Sequence, residues 1–180
     1  MALHSRSSSL EQSPHYAKLV MGERDLLLPQ HEVLSLEPIQ DLESAKADGN
    51  NQVGCITLKG QQVPIYCLSQ DLRPIKEIPE DHRLCVLLQD QHGVSFGILC
   101  NDVVTMESAR FRVIPLPECM RLPGTPIRAL VLDGEQVLCI SSSNNLTALI
   151  ATSGQPQPDL DDCDETGIVE SASTENMEQL

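Results

Sequence analysis

Apolar runs of four to eight residues, cut by turn signals, limit this chain to a β architecture. The cuts fall at Gly22-Glu23-Arg24-Asp25, Lys59-Gly60, Asp90-Gln91-His92-Gly93 and Asp133-Gly134-Glu135. Runs of that length suit strands better than helices. The spacing predicts strands over 16–21, 26–28, 32–36, 55–58, 63–68, 84–89, 94–100, 103–106, 110–114, 128–132 and 136–140. Many short strands joined by hairpins point to barrels or a sandwich.

The run Gly54-Cys55-Ile56-Thr57-Leu58-Lys59-Gly60-Gln61-Gln62-Val63-Pro64-Ile65-Tyr66-Cys67-Leu68 is the clearest of these hairpins. Gly60 adopts positive φ without steric cost, so the backbone can reverse after Lys59. Pro64 has no N–H to give to a sheet, which predicts an edge strand or a bulge with backbone groups open to a partner. One helix is expected near the C-terminus. Ser143 is its expected cap, Leu146, Leu149 and Ile150 form its apolar stripe, and Gly154 is its stop. No segment reads as a βαβ crossover, and no glycine-rich phosphate loop precedes a helix.

Composition narrows the function. A formal charge of −14, two Phe, two Tyr and no Trp leave neither the cationic surface nor the stacking platforms of a nucleic-acid reader. From Pro156 to Leu180 eight acidic residues meet no Lys or Arg, so the remainder of the chain carries −6 of the −14. That composition predicts an acidic disordered tail over 153–180. Residues 1–15, Ser-rich and aperiodic, are expected to be a flexible N-terminal segment, which leaves one domain over 16–152. No apolar run is long enough to export the chain or insert it in a membrane.

Seven cysteines stand at least twelve residues apart and mostly inside apolar runs such as Leu84-Cys85-Val86-Leu87-Leu88. They suit a reducing cytoplasm and burial as small apolar side chains. None lies beside a helix start or a basic cluster, so no catalytic nucleophile is expected. His82 and His92 flank Cys85 without metal-ligand spacing and fall in predicted turns, where exposure is the ordinary state. No metal or cofactor is expected.

The hairpin at 54–68 resembles the signature of the CheW-like domain family, in which a glycine, a basic residue with glycine at the turn, a proline and a closing leucine recur as here in Gly54, Lys59-Gly60, Pro64 and Leu68. The resemblance extends to Leu19–Pro29 as an opening hairpin, to Glu32-Val33-Leu34, to Val86–Val103 as a central hairpin, and to Arg128–Ile140 as a final strand pair. It implies a mainly β, CheW-like fold: two small five-stranded SH3-like β-barrels sharing a core, with a short C-terminal helix and no active site. It also implies a chemosensory adaptor that couples a CheA-type histidine kinase to a methyl-accepting chemoreceptor.

The partner-binding residues the resemblance implies are Lys59 and Gly60 at the turn, Val63 and Ile65 on the strand beside it, and Glu32 with Val33 on a neighbouring strand. Lys59 stands where the family most often has arginine, and Cys67 where it has aspartate. A lysine cannot reproduce a bidentate arginine contact. The chain thus reads as a divergent member, serving a pilus or other non-flagellar pathway. Lys59 and Glu32 equally fit solvated surface residues, and Val33 and Ile65 equally fit the core. The alternative reading is a regulatory protein-interaction module outside a receptor array, with the acidic tail contributing to partner binding.

Overall fold

The computed structural model describes residues 15–44, 51–121 and 124–153. The expected loose ends lie outside the described residues except for His15 and Ser153, and so does Gly154. In chain order the strands are β1 (His15–Met21), β2 (Arg24–Pro29), β3 (Val33–Pro38), β4 (Glu43–Ser44), β5 (Gln52–Leu58), β6 (Gln61–Leu68) and β7 (Pro74–Ile75). Then come β8 (Leu84–Gln89), β9 (Ser95–Cys100), β10 (Asp102–Glu107), β11 (Arg112–Pro115), β12 (Ala129–Asp133), β13 (Gln136–Ile140) and helix α1 (Ser143–Thr152).

Two sheets hold these strands. The first runs β10-β1-β2-β13-β12-β11 and the second β3-β8-β9-β6-β5-β4, with β7 paired to β6. The second sheet is therefore an insertion: the chain leaves the first after β2, builds the second from β3 to β9, and returns at β10. Parallel pairing of Cys139 and Ile140 with Leu26 and Leu27 joins the returning segment to the opening hairpin. A second parallel pair, Ile65 with Gly97 and Tyr66 with Ile98, sits at the middle of the inserted sheet.

Each sheet curls around its own apolar interior. Tyr16, Leu27, Ala129, Val131, Leu138 and Ile140 fill the first, with Met106, Phe111 and Val113 packed against them. Ile56, Val63, Ile65, Cys67, Cys85, Leu87 and Leu99 fill the second. The opposite faces of the same strands meet in a third cluster that joins the barrels: Leu19, Leu26 and Leu28 from one, Tyr66, Val86, Leu88, Phe96 and Ile98 from the other, and Leu146 from α1. Alternate side chains of β2, β6, β8 and β9 thus enter two different cores. That explains why these strands read as continuous apolar runs instead of alternating ones.

The mainly β fold with two barrel-like sheets and a short C-terminal helix is as expected, with differences of detail. The second sheet has seven strands instead of five because the two-residue strands β4 and β7, invisible to any periodicity, are paired as well, and the first has six because β10 and β11 both join the two hairpins β1–β2 and β12–β13. Glu32 and Arg110 fall in 3-10 turns instead of strands. Ser142, not Ser143, caps α1: its Oγ accepts from the Asn145 N–H at 3.3 Å, and Ser143 is the first helical residue.

Candidate functional site

The β5–β6 hairpin closes through Lys59 at φ 50° and Gly60 at φ 82°, with Leu58 opposite Gln61. Two central residues with positive φ make the turn that matches strand twist. Both residues are exposed, and Lys59 makes no ion pair with any described residue. At the far end of the hairpin, Gly54 admits β4: a Cβ there would stand 2.7 Å from the Glu43 carbonyl oxygen. Only a residue without a side chain allows that approach.

Val63 and Ile65 are placed in the core, at 3% and 0% exposure. Their side chains are out of a partner's reach in this fold. The edge expected from Pro64 is corrected too, because β6 lies inside the sheet between β5 and β9. Pairing with β9 begins only at Ile65, so the missing N–H of Pro64 falls just before β6 acquires its second neighbour. Gln61 and Gln62, ahead of it, are exposed.

Glu32 is neither a solvated residue nor a free one. Its Oε2 accepts the Ser143 N–H at 2.6 Å, which places a carboxylate on the unpaired first turn of α1, where the helix dipole favours negative charge. Asn144 ties the same turn to the β8–β9 connection, its Oδ1 accepting from the Gln91 N–H at 2.8 Å. Val33 is half-buried against the joining core and pairs with Leu88. Strands β8 and β9 separate β3 from β6, three interstrand spacings or roughly 14 Å along the sheet. The six residues named from sequence thus form no single patch.

Two apolar features escaped sequence reading. Strand β3 pairs with β8 alone among the described strands, and along this open edge Leu34 and Leu36 are 45% and 48% exposed. On the first barrel, Leu132 and Val137 face each other across β12 and β13 and are exposed as well. The outward set in Val33–Pro38 has the period of a half-buried strand, but which half is wet depends on the neighbouring elements.

The titratable groups give little nucleophilic chemistry. Burial pushes the Cys85 and Cys100 thiols up to about 12 and Cys67 up to about 11, so they stay protonated at neutral pH. His82, expected in an exposed turn, is buried with its Nδ1 3.2 Å from Asp81 Oδ1. His92 is exposed. Among the described residues no group of three His, Cys, Asp or Glu is placed to hold a metal ion, and no helix is long and apolar enough to cross a membrane.

No family model and no curated protein sequence matches the chain. Among solved structures it is similar to the scaffolding protein TtCheW from Thermoanaerobacter tengcongensis, with 14% sequence identity and a TM-score of 0.55 over 72% of this chain and 89% of that one. The chain has a divergent CheW-like fold.

Proposed function

We propose, with the CheW-like fold as premise, that this chain is a non-enzymatic adaptor of a cytoplasmic chemosensory pathway, coupling a CheA-type histidine kinase to methyl-accepting chemoreceptors. The observation that carries the reading is the fold shared with a scaffolding protein over most of both chains. The surface supports it. Open strand edges flanked by aliphatic side chains are natural places for another sheet to dock, and β3 with Leu34 and Leu36 is such an edge. Lys59 and Gly60 offer an exposed turn at the same end of the second barrel as Glu32 and Val33. Val63 and Ile65 serve by shaping β6, and Glu32 by holding α1.

Titration calorimetry of the full chain against the regulatory domain of a CheA-type kinase from the same organism tests this reading. The expected result is micromolar or tighter binding, weakened at least about tenfold by Leu36→Asp or by Lys59→Glu. Both positions are exposed, so the variants keep their fold; Val63→Asp would place a carboxylate in the core and report on folding instead. A folded chain that binds no such kinase overturns the reading.

A further inference from the structure

The parallel join that closes the first barrel is short. Strand β2 pairs with β13 at Leu26 with Cys139 and at Leu27 with Ile140, and ahead of that point the two hairpins part. The opening between them has a volume of about 310 Å³ and is lined by Glu23, Arg24 and Asp25 of one hairpin and by Gln136 to Cys139 of the other.

Backbone groups face into this opening. Two-residue turns close both hairpins, at Gly22-Glu23 and at Gly134-Glu135, which makes Met21 with Arg24 and Asp133 with Gln136 the hydrogen-bonded pairs next to the turns. The following residues, Asp25 and Val137, therefore turn their N–H and C=O groups away from β1 and β12 and toward the opening. Among the described residues no strand pairs with Val137 on that side. A free edge of this kind takes an extended chain, because its main-chain donors and acceptors repeat at the spacing of another strand.

The side chains around the opening set the chemistry of the occupant. Val137, 59% exposed, is the most exposed large apolar residue among those described, and it stands opposite Leu132, 40% exposed, across the hairpin. The two belong to a pair without mutual hydrogen bonds, where side chains lie closest, so they form one aliphatic patch. Continuing the β2–β13 register puts Arg24 level with Val137. Arg24 is exposed and makes no ion pair with any described residue, Glu23 included, while Asp25 is already paired with Lys18 at 2.9 Å. A free guanidinium beside an aliphatic patch complements a carboxylate next to an aliphatic side chain.

We propose that the opening between β2 and β13 is a docking slot for an extended segment of a partner protein. The segment pairs with Gln136–Leu138, covers Val137 and Leu132 with an aliphatic side chain, and meets Arg24 with an acidic one. The slot is independent of the adaptor reading and of the β3 edge, which belongs to the other barrel.

A phage-displayed random heptapeptide library panned on the full chain tests it, with the selected peptides synthesised and titrated by fluorescence polarisation. The expected binders carry Asp or Glu beside Val, Ile or Leu, and their affinity falls about tenfold or more in Arg24→Glu and in Val137→Asp. Arg73→Glu, an equal charge change at an exposed site on the second barrel, should alter it by less than about twofold. Cys139 reports on the place of binding, since its half-buried thiol lines the opening. A saturating peptide should slow labelling of Cys139 by N-ethylmaleimide about fivefold or more, read by peptide mass spectrometry, and leave the rate at the exposed Cys119 unchanged. No binder, binders without an acidic residue, or binding that leaves Cys139 and both variants unaffected overturns the proposal. Should a variant unfold, protection of Cys139 in the parent chain decides alone.

Discussion

Asp81 holds two partners at once, accepting from Asn101 Nδ2 through one oxygen and meeting His82 Nδ1 through the other. Both bonds favour the ionised form and keep the carboxyl below its ordinary 3.8. A folded-state pKa below the unfolded one means that the stabilisation is present above the unfolded value and is lost as pH falls through the folded one. Asp81→Asn should therefore lower the urea midpoint at neutral pH, and its gap to the parent protein should close as pH falls below about 4. A gap that stays constant down to acid would show that the ionised form carries no share of the stability. None of this was legible in sequence, where His82 looked like an exposed turn residue. Its burial, like that of Val63 and Ile65, is decided by what packs over it. Alternation divides Val63–Leu68 into two faces and leaves open which is wet; the structure shows that neither is.

The hairpins are where sequence reading worked best. Lys59-Gly60 and Gly134 lie in short turns between paired strands, and each has the positive φ that such turns require. Helix α1 was legible too, from Leu146, Leu149 and Ile150, while its anchoring was not. The clamp from Glu32 crosses 111 residues of sequence, a distance no local pattern spans. Glu32→Ala should cost about 1.5–3 kcal/mol of stability in urea titration, because it removes a charge-assisted bond from a half-buried helix end. Hydrogen exchange at the first-turn amides of α1 should quicken in the same variant. If stability and exchange both stay at the parent level, the clamp is not a stabilising element, and a direct partner contact becomes the better account of Glu32.

The two barrels share one core, which couples them across the whole molecule. Leu19, Leu26 and Leu28 of the first pack with Val86, Leu88 and Ile98 of the second, and Leu146 is fully buried among them. Unfolding either barrel strips one wall from this cluster, so the chain should melt in a single transition. The two tyrosines can test that. Tyr16 belongs to the interior of the first barrel and Tyr66 to the joining core, so Tyr66→Phe and Tyr16→Phe leave one fluorescent reporter each. Within each variant the tyrosine signal and far-UV circular dichroism should give coincident midpoints; separated midpoints would mean barrels that unfold independently.

The existence of the eleven longer strands, the β5–β6 hairpin, the apolar stripe of α1 and the acidic character of residues 156–180 were all determined by sequence alone. Each depends on turn chemistry, side-chain period or composition within a few neighbouring residues. Tertiary structure decided the parallel joins of β2 to β13 and β6 to β9, the burial of Val63 and Ile65, the pairing of Glu32 with α1, and the open edges at β3 and β11. Those outcomes depend on which distant strand lies alongside, and long-range pairing leaves no local periodic trace in the sequence.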